Sequence, residues 1–296
     1  GYILHPFWIK SRVWDIYVCK HFKIFVEYKP VSQIVPRALT IAGSDSGGGA
    51  GIQADLKTFT ALRVFGMSAI TSVTAQNTNS VLGINNLSPE FIELQIDAVV
   101  KDIGVDAVKI GMLSTKEIIN SVATKIKEYG LKNIVLDPVM VAKGGESLLN
   151  PNAEDILIQE LLPHATVLTP NIPEAEVISG LKILSVDDMK TAAQKIRTFG
   201  PDNVLLKGGH LDKSIDAVDI LYDGTDFFEF KTLRIDTKNT HGTGCTYSAA
   251  ICAGLAKGFS ILEAVKEAKN YVTFAIENSF DIGKGHGPLN HFWKIN

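Results

Sequence analysis

The 296-residue chain has almost no surplus charge of either sign, with 29 Lys and Arg against 32 Asp and Glu and a formal net charge of −3. A protein that tracks a phosphate backbone carries a clustered basic excess, so nucleic-acid binding is not expected. Long apolar runs are also missing, because charged or turn residues break each one before the roughly 18 residues that a membrane helix needs. Only three cysteines occur: Cys19, Cys245 and Cys252. The last two stand on one expected helix about 10 Å apart along its axis, beyond disulfide reach. So sparse and odd a set suits a reducing compartment and predicts a cytoplasmic protein. Neither CxxC nor HExxH occurs, so no Cys/His metal centre is expected. What the chain does have is core-forming residues, 46% hydrophobic against 21% charged, the balance of a folded protein.

Residues 1–36 differ from the rest. Tyr2, Phe7, Trp8, Trp14, Tyr17, Phe22, Phe25 and Tyr28 crowd together there, with Asp15 and Glu27 as the acids. No apolar stretch followed by a small-residue cleavage site is present, so a secretory signal is not expected. The segment reads as an N-terminal extension of unknown role, and residues 37–296 as one domain. From Arg37 onward short β-branched runs alternate with longer amphipathic stretches. Strands are expected at 38–42, 68–75, 107–110, 133–136, 166–168 and 204–206, most of them apolar throughout, as in a parallel sheet covered on both faces. Helix-start signals fall between them: Ser88 with Pro89, Ser114 with Glu117, Ser185 with Asp188, and Ser260 with Glu263. The series is βαβ, hence α/β with a mostly parallel central sheet. Residues 216–231 read as an antiparallel edge hairpin around the turn Asp223-Gly224.

Open α/β sheets bind ligands beyond the carboxyl ends of their strands. Here those ends carry Gly43 to Gly51, Gln76-Asn77, Gly111-Met112, Asp137-Pro138, Thr169-Pro170-Asn171 and Lys207-Gly208-Gly209-His210. Any one set could be turn chemistry; six together point to a site. The glycine-rich loop fails as a P-loop, since Gly48 is followed by Gly49 and Ala50 instead of Lys and Ser/Thr. It fits a dinucleotide fingerprint poorly, because no Asp or Glu lies between Leu56 and Pro89 to hold a ribose. A tight turn that admits a ligand to the backbone remains, with Asp45 and Asp55 as candidate acceptors. Asp55 could equally be a first-turn acid on the helix dipole.

The sharpest signal is Asn239-Thr240-His241-Gly242-Thr243-Gly244-Cys245-Thr246, followed by a small-residue helix. Glycines at a helix start free backbone N–H groups to converge on an anion, and the dipole favours negative charge there. Phosphoryl transfer needs alignment and donors aimed at developing charge more than covalent chemistry, so Gly242, Thr243, Gly244 and Cys245 are catalytic candidates. In that first turn the Cys245 thiol is expected below its usual pKa of roughly 8.5, able to accept a proton from a substrate hydroxyl. The alternative is a small Cys packed against a Gly/Ala-rich helix, the reading assigned to Cys252. Magnesium carried by a nucleotide needs only one or two carboxylates, for which Asp137 and Glu174 are candidates. Glu174 could instead be a helix-start acid.

The segments Ala38-Leu-Thr-Ile-Ala-Gly-Ser-Asp-Ser46 through Gly51-Ile-Gln-Ala-Asp-Leu-Lys57, Thr74-Ala-Gln-Asn-Thr78, Lys109-Ile-Gly-Met-Leu113, Leu136-Asp-Pro-Val-Met140, Thr169-Pro-Asn171, Lys207-Gly-Gly-His210 and 239–245 together resemble the hydroxymethylpyrimidine/phosphomethylpyrimidine kinases of thiamine synthesis. The resemblance spans residues 37 to about 292. It implies a ribokinase-like three-layer α/β/α sandwich, with ATP and Mg²⁺ as cofactors; a homodimer is expected besides. It also implies phosphorylation of 4-amino-5-hydroxymethyl-2-methylpyrimidine and then of its monophosphate. By the same resemblance Gln76 reads the pyrimidine edge, Ala50, Met112 and Val139 line its pocket, and Asp55 lies nearby. Lys207, Thr240, Asn171 and Glu174 would serve the nucleotide, Asp137 and Glu174 its metal, and Gly242 to Cys245 the anion hole. Most ribokinase-like enzymes carry Asp where Cys245 stands, whereas this family has Cys. Two departures are Gly144, where family members often have Ser, and the aromatic N-terminal segment, which has no family counterpart. The competing readings are a pyridoxal/pyridoxine kinase of the same fold, a non-catalytic nucleotide or vitamin sensor and, third, a dinucleotide oxidoreductase. Gln76 favours the aminopyrimidine, since its amide can pair with both an amino group and a ring nitrogen.

Overall fold

A computed structural model describes the backbone of residues 13–19 and 22–27, and residues 35–141, 148–150, 153–209 and 216–294 in full. The chain divides into two units, Gly1–Val35 and Pro36–Asn296. In the first, β1 (Val13–Cys19) and β2 (Phe22–Glu27) form an antiparallel hairpin. Gly144, His210 and the rest of the N-terminal segment lie outside the described residues.

The second unit is built on an eight-stranded sheet. Its parallel part comprises β3 (Arg37–Ala42), β4 (Phe65–Ile70), β7 (Ala107–Ile110), β8 (Ile134–Leu136), β9 (Val167–Leu168) and β10 (Asn203–Lys207). Antiparallel β11 (Asp216–Tyr222) and β12 (Phe227–Leu233) close one edge, giving the order β12-β11-β10-β9-β8-β7-β3-β4. Neighbouring strand residues point to opposite cores: Leu39, Val108 and Leu168 pack on one face, Ala38, Ala107 and Val167 on the other. Helices α2 (Pro89–Asp102), α3 (Lys116–Tyr129), α4 (Ala153–Glu160), α5 (Ile172–Ser179) and α6 (Val186–Arg197) cover the first face. Helices α1 (Gly51–Ala61), α7 (Thr243–Ala256) and α8 (Ile261–Glu277) cover the second. Burial on both faces is why the runs are apolar without alternation. The fold is the three-layer α/β/α sandwich with an antiparallel edge hairpin.

One expected strand is two. Residues 68–75 break at the buried Thr71, whose N–H still reaches Ala42 O while its carbonyl accepts from Leu87. Beyond it the chain leaves the main sheet as β5 (Ser72–Gln76), paired antiparallel with β6 (Val81–Asn86) as a separate two-stranded flap. A run rich in β-branched residues, with no Gly or Pro to mark a break, hid the change of sheet. The helix-start signals at Ser88, Ser185 and Ser260 are N-caps. At α3 the cap is Thr115, one residue later than the Ser114 signal, and the Ser114 hydroxyl lies against that of Ser72. Among the described residues no helix is long and apolar enough to cross a membrane.

Candidate active site

A cavity of about 1040 Å³ lies over the carboxyl ends of the parallel strands. Its wall collects Ala50, Gln76, Met112, Val139, Asp137, Asn171, Glu174, Lys207, Thr240, and Gly242 to Cys245. Of the candidate site residues, only Asp55 is off that wall.

At one end the loop after β3 is organised by Asp45. Its carboxylate accepts the N–H groups of Gly47, Gly49 and Ala50 at 2.8–3.0 Å and faces His241 Nε2 at 2.8 Å. Burial opposes this charge, but His241 and the amides hold the carboxyl below its usual range. Asp45 is therefore occupied by its own loop, and His241, to which no role was given from sequence, is its tether. Gln76, Ala50, Met112 and Val139 line the same cavity. The Gln76 backbone is fixed on both sides by the Ser46 hydroxyl, at 2.8 Å each. Gly43 makes room for Met112, whose Cε would lie 2.3 Å from an added Cβ.

Asp55 corrects both readings made of it. It lies beyond the first turn of α1 and is wholly buried, accepting the Thr40 hydroxyl at 2.6 Å and pairing with Lys109 at 2.9 Å. Burial raises its pKa in spite of that lysine. Asp55 sits beneath the site and supports Lys109, which does reach the cavity wall. Sequence reasoning gave Lys109 no role, although a lysine inside the apolar strand Ala-Val-Lys-Ile demands a buried partner.

The start of α7 is locked against the loop after β3. Gly242 has φ +81° as its N-cap, and a Cβ there would fall 1.8 Å from Gly49 O. Neither a side-chain cap nor an acidic residue occupies this first turn. The Thr240 carbonyl shapes it by accepting the Thr243 hydroxyl at 2.8 Å. Cys245 stands near the amide of Gly51, the first residue of α1, so its sulfur lies close to two helix starts. The expected depressed pKa is not found. Burial pushes the thiol up to about 11, the Asp55 and Asp137 carboxylates add to the rise, and Lys109 with the Gly51 amide offset only part of it. Cys252 is completely buried in the α7 packing.

A row of charges continues from there. Asp137 Oδ1 meets Lys207 Nζ at 2.8 Å and the Thr169 hydroxyl at 3.1 Å. A Cβ on Gly244 would stand 3.4 Å from Lys207 Nζ and 3.5 Å from Asp137 Oδ2, so this pair flanks the helix start. Burial opposes both charges; Lys207 nevertheless lowers the Asp137 pKa, and Asp137 with Glu174 raises that of Lys207. Glu174 does two things at once: it forms a capping box with Asn171 at the start of α5, and it lines the cavity. Burial raises its pKa to about 7; Lys207 opposes the rise and Asp137 adds to it.

Beyond Lys207 the cavity extends to a wall that the sequence reading did not flag, formed by Ala217, Asp219, Leu233, Lys269, Val272 and Ile276. The arrangement is two-ended: an apolar pocket with one amide, an anion-favouring helix start in the middle, and a lysine beyond. It can align a phosphoryl donor and a small acceptor across one helix N-terminus.

Residues 45–290 match the family described as phosphomethylpyrimidine kinase. A hydroxymethylpyrimidine/phosphomethylpyrimidine kinase of Bacillus subtilis is 53% identical over 256 residues, 86% of this chain and 94% of the relative. Among solved structures, the phosphomethylpyrimidine kinase of Clostridium difficile is 50% identical with a TM-score of 0.73, covering 81% of this chain and 99% of that one. A pyridoxal kinase of Staphylococcus aureus, in complex with AMP-PCP and pyridoxal, is 39% identical with a TM-score of 0.83, covering 89% and 96%.

Proposed function

The chain belongs to the phosphomethylpyrimidine kinase family, and from that premise we propose the chemistry of its cavity: ATP phosphorylates 4-amino-5-hydroxymethyl-2-methylpyrimidine, and then its monophosphate, in thiamine biosynthesis. The observation that carries this reading is the α7 start, Gly242 to Cys245, set in one cavity with Gln76 on one side and Lys207 on the other. Gln76 pairs with the aminopyrimidine edge, and Ala50, Met112 and Val139 hold the ring. Lys207, Thr240 and Asn171 take the nucleotide, with Lys207 on its phosphates. The α7 amides stabilise the transferring group, where losing one donor costs about 10²–10³ in rate.

Mg²⁺ fits the donor set. Asp137 and Glu174 would be its oxygen ligands on one wall, and the like charge of Asp137 helps raise the Glu174 pKa, a repulsion that a divalent cation would relieve. Among the described residues no group of three or more His, Cys, Asp or Glu could hold a metal, so we assign the ion to the nucleotide. It would neutralise charge on the phosphates. A homodimer and a cytoplasmic location complete the proposal, the latter resting on the sparse cysteines.

The test is coupled ADP release, comparing the pyrimidine alcohol with pyridoxal. Faster turnover of the pyrimidine is expected. Faster turnover of pyridoxal overturns the substrate assignment, and tight ATP binding without ADP release favours a sensor.

A further inference from the structure

The far wall of the cavity holds a buried charge pair that the proposed chemistry does not use. Asp219 on β11 and Lys269 on α8 meet at 2.7 Å, their side chains 5% and 9% exposed. The other Asp219 oxygen accepts the N–H of Gly208 at 3.0 Å, and Lys269 also donates to Ala217 O at 3.3 Å. Gly208 is the residue directly after Lys207, where β10 gives way to the turn. It tolerates no side chain, because a Cβ there would lie 1.9 Å from Val218 O. The Tyr247 phenol, on α7, lies beside the same carboxylate, and burial together with Asp219 raises its pKa well above the usual range. One carboxylate thus joins α8 to the strand end that carries the phosphate-side lysine. The reach of α8 depends on small residues, since a Cβ on Gly254 would stand 2.9 Å from Ala264 Cβ. A buried ion pair adds little net stability compared with apolar residues of similar volume, so packing alone does not explain it.

We propose that Asp219 and Lys269 are positioning residues for the nucleotide: they fix the Gly208 turn and thereby the direction in which Lys207 leaves β10. The proposal rests on the reading that this half of the cavity takes ATP. Lys269 cancels a carboxylate that would otherwise repel the phosphates, and Asp219 holds the turn through the Gly208 amide. The acceptor end at Gln76 lies on other elements and is independent of the pair.

Calorimetric affinities for ATP and for the pyrimidine alcohol, measured on the full chain, decide it. Lys269→Met is expected to weaken ATP binding by about tenfold, the size of one lost charge-assisted contact. Adding Asp219→Asn should restore it, because the amide oxygen still accepts from Gly208 and carries no charge. Adding Asp219→Leu instead, which keeps the volume but not the acceptor, should not. Alcohol affinity stays at the wild-type value throughout. Unchanged ATP affinity in Lys269→Met, equal rescue by Asn and Leu, or parallel loss of both ligands overturns the proposal. A wild type that binds ATP without releasing ADP overturns the kinase reading alone; one that binds no ATP overturns both.

Discussion

Cys245 illustrates how two residue-level effects of opposite sign are decided by surroundings that the sequence does not display. Its place in the first turn of α7 favours a thiolate, but burial with Asp55 and Asp137 nearby places the thiol at about 11. At neutral pH the proton stays on sulfur. A loose transition state needs proton removal only late, so we assign Cys245 to aligning the acceptor hydroxyl. Between pH 8 and 9.5 kcat should therefore change little. A rise of about tenfold per pH unit would mark the thiolate as the active form and sink this assignment. Cys245→Ala should lower kcat by about 10²-fold, the cost of one aligned group, with acceptor KM unchanged. Glu174 gives a pH effect on stability. Its carboxyl titrates near 7 in the folded protein against an ordinary 4.5, so between those values the native state holds a proton that the unfolded chain has released. Stability contributed by this group falls as pH rises through that window and levels off above about 7, a swing of about 3 kcal/mol. His291 acts oppositely, since burial lowers its pKa to about 4 and favours the native state as pH rises toward 6.5. Glu174→Gln cancels only the first effect and leaves an oxygen for the Asn171 amide. Urea unfolding at pH 5 to 8 should show the variant gaining on wild type with rising pH, then a constant difference. A difference independent of pH would refute the raised carboxyl.

Glycines at the start of α7 separate an element's architecture from its chemistry. Gly242 carries positive φ and touches the Gly49 carbonyl, so Gly242→Ala must force the α7 start away from the loop after β3. Loss of both thermal stability and activity is expected. Gly244 lies inside the helix, and its added methyl would make only ordinary contact with Lys207 and Asp137. There Ala gains helix propensity of about 0.5–1 kcal/mol while filling the space assigned to the phosphoryl group. Gly244→Ala should keep or raise the melting temperature and lose most of kcat; full activity would remove that assignment. Both glycines were legible from the motif, as were six strands and the caps at Ser88, Ser185 and Ser260, because these signals are local. The split at Thr71 was not, since a β-branched run looks the same whether it stays in one sheet or crosses to another. Nor were the Asp55–Lys109 and Asp45–His241 pairs, whose partners lie 54 and 196 residues apart and whose meaning comes from shared burial.

At the scale of the molecule the flap of β5 and β6 mixes buried polar with exposed apolar residues. Ser72 and Thr74 are polar and buried, whereas Val73, Leu82 and Ile84 are 47%, 73% and 39% exposed. Ile84 stands opposite Thr74, so the exposed apolar residues fall on both sides of the flap. The buried Ser72 and Thr74 fit a strand that carries Gln76 to a ligand. These exposed apolar residues have no partner within the described residues, and two strands alone are marginally stable in water. A second copy of the chain packing against the flap accounts for both, and it is the basis on which we propose the homodimer. Because Gln76 ends β5, dimerisation would hold the acceptor end of the cavity without touching Lys207 or Asp219. Leu82→Asp places a charge on the most exposed apolar residue of the flap. Sedimentation velocity should show the wild type as a dimer and the variant as a monomer. The monomer should bind ATP normally, while its KM for the pyrimidine alcohol rises as the flap loosens. A monomeric wild type, or a variant that stays dimeric, would place any interface elsewhere; a monomeric variant with unchanged acceptor KM would show that the flap holds Gln76 without help.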